Sequence, residues 1–298
     1  MTTASGYAHR EVTHPPNWHD LVVVDVGLNA ATTGLFLVAA VGELARPDVF
    51  GPVAGWAYVL ALVLLLADLA CLVLDLGDPL RFHHMLRVFK PSSPMSLGTW
   101  CLTAYSLPLS AVVALDVFGW LGWMPADAGW VWPVRTALVV LAMPFAFGSA
   151  AYKGVLFSTS AQPGWRDARW LGAHHVTSAL AVGCGLLCAL AALGGHDRAA
   201  AVLRPALLVL LAVGVYPAYR LAAELRPALA GVYTRGELRA AGWVVVAGSF
   251  VAPAALALVG GTVAAVAAAG VLLAAAFAVR RVVVYLPHRI TGHGAPTR

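Results

Sequence analysis

Apolar residues run along this chain in long unbroken stretches rather than in alternation with polar ones. Eight such runs stand out, at residues 21–42, 53–76, 97–119, 132–157, 171–194, 200–221, 243–259 and 263–284, each bounded by charge, Pro or Gly. A bilayer core of about 30 Å is crossed by about 20 residues rising ~1.5 Å each, and every run is close to that length. The short alternating segments of a membrane β-barrel are not what these runs look like. The pattern predicts an all-α integral membrane protein, a bundle of about eight transmembrane helices over residues 21–286. A polar N-terminal tail (1–20) and a polar C-terminal tail (287–298) flank it. The first twenty residues hold no basic region followed by a short apolar region and a small-residue cleavage site, so no cleavable leader is expected.

Composition agrees with the pattern: 60% of residues are hydrophobic, 11% are charged, and mean hydropathy is +0.80, far from the soluble average. The formal net charge of +5 is unevenly placed. An even number of spans puts both termini on one side. Most Lys and Arg fall on that side, among them Arg81, Arg87, Lys90, Arg166, Arg169, Arg220, Arg226, Arg235, Arg239, Arg280 and Arg281. Such a bias points to the cytoplasm. The same face carries the long connections 77–96, 158–170 and 222–242, and it would equally suit an acidic partner. The opposite face keeps Arg46, Arg135, Arg198 and Arg204, with Trp120, Trp123, Trp130 and Trp132 placed as an interfacial belt. Membrane lipid is the expected surrounding, and no nucleic-acid partner is expected.

Ionisable groups inside a bilayer are costly and each needs a reason. Asp25 lies about one turn into the first span with Asn29 four residues on, which sets a carboxylate and an amide on one helix face. Such a pair suits a polar head group, and an interfacial or packing role explains it too. Asp68 and Asp75 are two turns apart on one face of the second span. They suit a proton path or, alternatively, ion pairs with Arg81 or Lys153. Tyr152 and Lys153, near the end of the fourth span, could hydrogen-bond a carbonyl oxygen; interfacial anchoring and snorkelling explain them as well. Cys71, Cys101, Cys184 and Cys188 all lie inside spans, without the loop clustering of zinc or iron–sulfur ligands. His83 and His84 fall in a loop, and the neighbours His174 and His175 open the fifth span. No metal site, haem or iron–sulfur cluster is therefore expected in this chain.

The stretch Leu74-Asp75-Leu76-Gly77-Asp78-Pro79-Leu80-Arg81-Phe82, followed by Pro91-Ser92-Ser93-Pro94-Met95-Ser96-Leu97-Gly98-Thr99-Trp100, resembles the signature of the NrfD/PsrC family. These are the membrane subunits of polysulfide reductase and related complexes. Tyr152-Lys153-Gly154-Val155-Leu156-Phe157-Ser158, then Pro163-Gly164-Trp165, is similar to the family's Tyr-Thr-Gly-x-Leu-x-Ser segment and its following Pro-x-Trp, with Lys153 where Thr is usual. The resemblance implies a quinone-reactive subunit, using menaquinone or ubiquinone, in a bacterial inner membrane. Its implied partners are a four-cluster ferredoxin-like iron–sulfur subunit and a molybdopterin catalytic subunit. It places the quinone head group at positions matching Asp25 and Tyr152, with Asn29 and Lys153 beside them. It makes the loop 77–96 the docking surface, through Asp78, Arg81, His83, His84, Arg87 and Lys90.

Two other functions fit the residues. An ion-translocating protein would use Asp25, Asp68, Asp75 and Lys153 as a relay, although no internal repeat of the transporter kind is visible. A passive anchor without quinone binding would leave Lys153 as the mark of a lost site.

Overall fold

In hydrocarbon a backbone N–H or C=O finds no water, so an apolar run of bilayer length closes its own hydrogen bonds as a helix. A computed structural model describes Trp18, residues 20–124 and residues 129–291. Helices dominate them, and no strand occurs among the described residues. In chain order they are α1 (Asp20–Ala45), α2 (Pro47–Leu74), a 3-10 turn (Pro79–Leu86), α3 (Pro94–Trp120), α4 (Val131–Ser158), α5 (Leu171–Leu193) and α6 (Asp197–Ala230). Then come α7 (Arg235–Val246), a π-helical turn (Ala247–Val251), α8 (Ala252–Val259) and α9 (Thr262–Ile290). Read as α7 through α8, the seventh segment completes eight helices long and apolar enough to cross a membrane. The chain is a multi-pass membrane protein.

Several boundaries differ from those expected, and hydropathy explains why: it marks the bilayer, whereas helical hydrogen bonding continues into the interface. The connection expected at 222–242 shrinks to 231–234, because α6 runs on through its Ala- and Leu-rich end to Ala230. The capping box of Thr234 and Glu237 then starts α7. α2 begins at Pro47, ahead of the apolar run at 53, with proline in the first turn where its missing N–H costs nothing. α9 ends at Ile290, inside the tail expected from 287. Residues 1–17, 19 and 292–298 of the two tails lie outside the described residues.

α1 is the central helix and packs against α2, α4, α5 and α9. It joins one group, α1 to α4, to a second, α5 to α9, and the joint is an α1–α5 crossing at Gly34 and Gly183. A Cβ on either glycine would run into backbone of the facing helix. In the second group, Pro253 lacks the N–H that would bond the Ser249 carbonyl, and the helix widens into its π turn over that stretch. Gly260 and Gly261, at φ +74° and +84°, make the reversal from α8 into α9. Arg281 Nη1 and Tyr285 Oη both meet Asp20 Oδ1, at 2.7 and 3.0 Å, so the start of α1 and the end of α9 share one end of the bundle.

Candidate functional site

Lys153 does not snorkel. Its side chain turns into the bundle, where only 3% of the residue is exposed, and its Nζ lies 2.7 Å from Asp25 Oδ1 and 3.1 Å from Asp68 Oδ1. The contact to Asp25 is an ion pair outside hydrogen-bond geometry, since Oδ1 of Asp25 has no hydrogen-bond partner among the described residues. Nζ donates instead to the Asp25 carbonyl at 3.3 Å and to Asp68. Asn29 Nδ2 donates to Asp68 Oδ2 at 3.2 Å and to Ser149 Oγ at 2.9 Å. Five buried polar side chains from α1, α2 and α4 thus share one centre. Two carboxylates share its one ammonium.

Local helix geometry builds this centre. Asp25 and Asn29 are one turn apart on α1, as Ser149 and Lys153 are on α4, so each helix presents two polar groups in a row. Asp68, on the facing side of α2, is fully buried between them. Of the two pairings open to Asp68, the one with Lys153 forms, and Arg81 pairs with Asp78 at 2.9 Å instead. Asp75 is not part of the centre; it caps the end of α2, about 10 Å further along the helix axis. The Tyr152 ring lies 5.7 Å from Lys153 Nζ. Gly98 of α3 gives that ring its space, because a Cβ there would collide with it. Gly154 likewise lets α4 approach α5 backbone to backbone at Gly172. Trp165 pins the loop after α4, donating from Nε1 to the Val283 carbonyl at 2.6 Å and stacking on Trp18.

The loop side is exposed. Arg81, His83, His84, Arg87 and Lys90 all face outward around the 3-10 turn, together with Leu80, Phe82, Val88 and Phe89. Ser96 holds the loop to the start of α3, accepting from Lys90 N at 3.0 Å and donating to the Val88 carbonyl at 3.3 Å.

Sequence reading missed three things. Ser149 belongs to the centre, and its place one turn before Lys153 was the available signal. Arg135, counted as a surface charge, is buried in a second ion triad: Nε and Nη2 meet Asp116 at 2.6 and 3.0 Å, and Nη1 meets Glu43 at 2.6 Å. Tyr58 completes it by donating to Glu43 at 2.7 Å. Glu43 and Asp116 sit at or near helix ends, where a charge draws no notice. His174 and His175, near the start of α5, are both buried inside the bundle, with ring centroids 6.4 Å apart.

A helical bundle with a charged centre shared by three of its spans is the architecture of a polytopic membrane protein with a polar site, not of a simple anchor helix. The chain matches the NrfD_2 polysulfide reductase family over residues 1–291, and it belongs to that family. Membership makes it a membrane subunit of polysulfide-reductase-type complexes, whose members generally work with iron–sulfur and molybdopterin subunits. No match is found among curated proteins.

Proposed function

We propose that the chain is the quinone-interacting membrane subunit of a respiratory oxidoreductase complex, exchanging electrons between menaquinone or ubiquinone and an iron–sulfur partner. The observation that carries the reading is the convergence of Asp25, Asn29, Asp68 and Lys153 in one buried centre beside Tyr152. Oxidising a quinol breaks two O–H bonds and releases two protons with two electrons. Asp25 is the acceptor for one hydroxyl proton, with Lys153 beside it to hold the carboxylate in place. Lys153 and Tyr152 are donors for a quinone oxygen, and Lys153 keeps the extra negative charge of the centre from growing unfavourable. Asp68 and then Asp75 lead along α2 toward the loop 77–96, and we assign them the proton exit. The electrons leave through a four-cluster ferredoxin-like subunit docked on that loop by Arg81, Arg87, Lys90, His83 and His84, with Asp78 holding Arg81 in place. A molybdopterin subunit beyond it carries the substrate chemistry. The setting is a bacterial inner membrane with the basic face in the cytoplasm.

Fluorescence quenching by a menaquinol analogue tests this on the purified chain. Asp25→Asn and Tyr152→Phe each weaken binding by ~10- to 100-fold, the loss of one hydrogen bond to a charged or buried group, while circular dichroism stays that of the wild type. In the assembled complex, Asp68→Asn slows proton release; unchanged release at unchanged electron transfer takes Asp68 out of the exit path. Wild-type protein that binds no analogue, with or without its iron–sulfur partner, returns the chain to the ion-translocating or passive-anchor readings.

A further inference from the structure

A span seated in a bundle buries one side and shows lipid the other, and α7 does not. None of its residues is buried. Residues 239–244 are all exposed, and at about 100° per residue they go right round the helix, so α7 stands off from its neighbours. What ties it down lies just beyond its two ends. Before its start, the Arg289 guanidinium of α9 sits over the Tyr233 ring, 5.3 Å from the centroid. Past its end, a Cβ on Gly248 would lie 3.2 Å from the Ala275 Cβ of α9. Between these two points space is left along α7 on the side of α6 and α9.

One end of that space is basic and the other is apolar. At the basic end, Arg226 on α6 and Arg235 and Arg239 on α7 are exposed and pair with no carboxylate among the described residues. The acid between the last two, Glu237, is engaged by Thr234, whose N and Oγ1 both donate to it at 2.8 Å. Arg235, Arg239 and Trp243 follow one another at four-residue spacing, so two guanidiniums and an indole form a row down one side of α7. At the other end, between the π turn, α6 and α9, lies a partly open cavity whose surface is mainly apolar, with Leu210, Gly214, Phe250, Leu272 and Val279 among its lining. Two of its hydroxyls are engaged elsewhere: Thr177 donates to the Ala173 carbonyl at 3.1 Å, and Ser178 accepts from Arg280 at 3.4 Å. We propose that this space holds one anionic phospholipid, its phosphate on Arg235 and Arg239 with Arg226 beside them, and one acyl chain running along α7 to the cavity at the π turn. Charge selects the head group, since basic pockets between helices at the membrane boundary take anionic lipid. Length suits the chain: Arg239 and Phe250 are about 17 Å apart along the helix axis at ~1.5 Å per residue, about half of a ~30 Å hydrocarbon core. A second copy of the chain suits this face badly. Two copies inserted the same way round and joined through α7 would set Arg235 and Arg239 against their own counterparts at the same depth.

The full chain, delipidated in detergent without quinone or partner, tests the proposal through its melting temperature as phosphatidylglycerol is added. The midpoint is expected to rise saturably, and phosphatidylcholine with the same chains, or glycerol phosphate without chains, is not expected to move it. Arg235→Gln with Arg239→Gln raises the half-saturating concentration at least about tenfold, the loss of two basic contacts to an anionic lipid. Gly214→Leu, which fills the cavity without touching a charge, raises it by a similar factor through the loss of a few buried methylenes. Arg198→Gln, an exposed arginine at the other end of α6, leaves it unchanged. Phosphatidylglycerol with a photoreactive group at the chain end labels residues 247–251 and 207–214, and unlabelled phosphatidylglycerol competes. If Gly214→Leu does not fold, the labelling decides where the chain lies. Equal responses to the two lipids, a response that survives loss of both arginines, or label spread evenly over the helices without competition overturns the proposal. So does a dimer in native mass spectrometry that Trp243→Arg dissociates, which gives the face to a second copy.

Discussion

An ammonium as deeply buried as that of Lys153 is stable only because Asp25 and Asp68 lie within 3.1 Å of it. The family's usual Thr at this position would reach neither carboxylate with a charge. Lys153 is therefore best understood with Asp25, as the cation that an acidic residue on α1 requires when a second acid, Asp68, faces it. Removing the cation leaves two buried carboxylates in one place, and breaking a buried pair in this way costs ~3–5 kcal/mol. Lys153→Met and Lys153→Thr should both lower the melting temperature in detergent sharply, and Asp68→Asn added to either should recover part of the loss. A double-mutant cycle between Lys153→Met and Asp68→Asn is expected to give a coupling above ~1 kcal/mol, the range for residues in one ion-pair network. Additive effects would mean that the two side chains do not share the centre in solution.

The α1–α5 crossing works by absence of side chains rather than by attraction between them. Gly183 faces the backbone of Gly34, and backbone cannot swing aside as a side chain can. Gly183→Ala is accordingly expected to destabilise by ~1–3 kcal/mol, as overpacking does. Gly270→Ala, on α9, where a Cβ meets nothing within 4 Å, should be neutral or stabilising by up to ~1 kcal/mol from helix propensity. Melting temperatures of the two variants check the contrast, and equal shifts would rule out so close a crossing. This contrast shows where sequence reading stops. Eight runs of apolar residues were legible because the bilayer imposes their length, and the Asp25–Asn29 face was legible because a helix imposes its own period. Helix ends were not, since α6 carries its hydrogen bonds past the apolar run into an Arg-bearing segment that reads as a loop. Nor were the partners of Lys153: Asp25 and Asp68 are 128 and 85 residues away in the chain, and only the packing of α1, α2 and α4 brings them together. Glu43, Asp116 and Arg135 stayed hidden for the same reason.

Seen across the whole bundle, the two ion triads lie near opposite ends of α1. Asp25 and Glu43 are separated along that helix by about 27 Å at ~1.5 Å per residue, close to the thickness of the hydrocarbon core. The molecule thus keeps its buried charges near the two membrane boundaries and fills the interval with Leu35, Phe36, Ala39 and Ala40. The end with the Lys153 centre is also the end where α1 starts and α9 finishes, and it bears the exposed arginines of the loops, so the same face holds the candidate quinone site and the candidate docking surface. Lys and Arg at span ends favour the cytoplasm, the side on which the iron–sulfur partner proposed above would then dock. Single cysteines at exposed positions test the assignment in a background where Cys71, Cys101, Cys184 and Cys188 are replaced. His84→Cys and Arg235→Cys should react with a membrane-impermeant maleimide only in inverted vesicles, and Trp123→Cys, on the opposite face, only in right-side-out ones. The reverse pattern would put the basic face outside the cell. In that case docking to an acidic partner, rather than insertion bias, accounts for the arginines, and the Lys153 centre would release its protons outward.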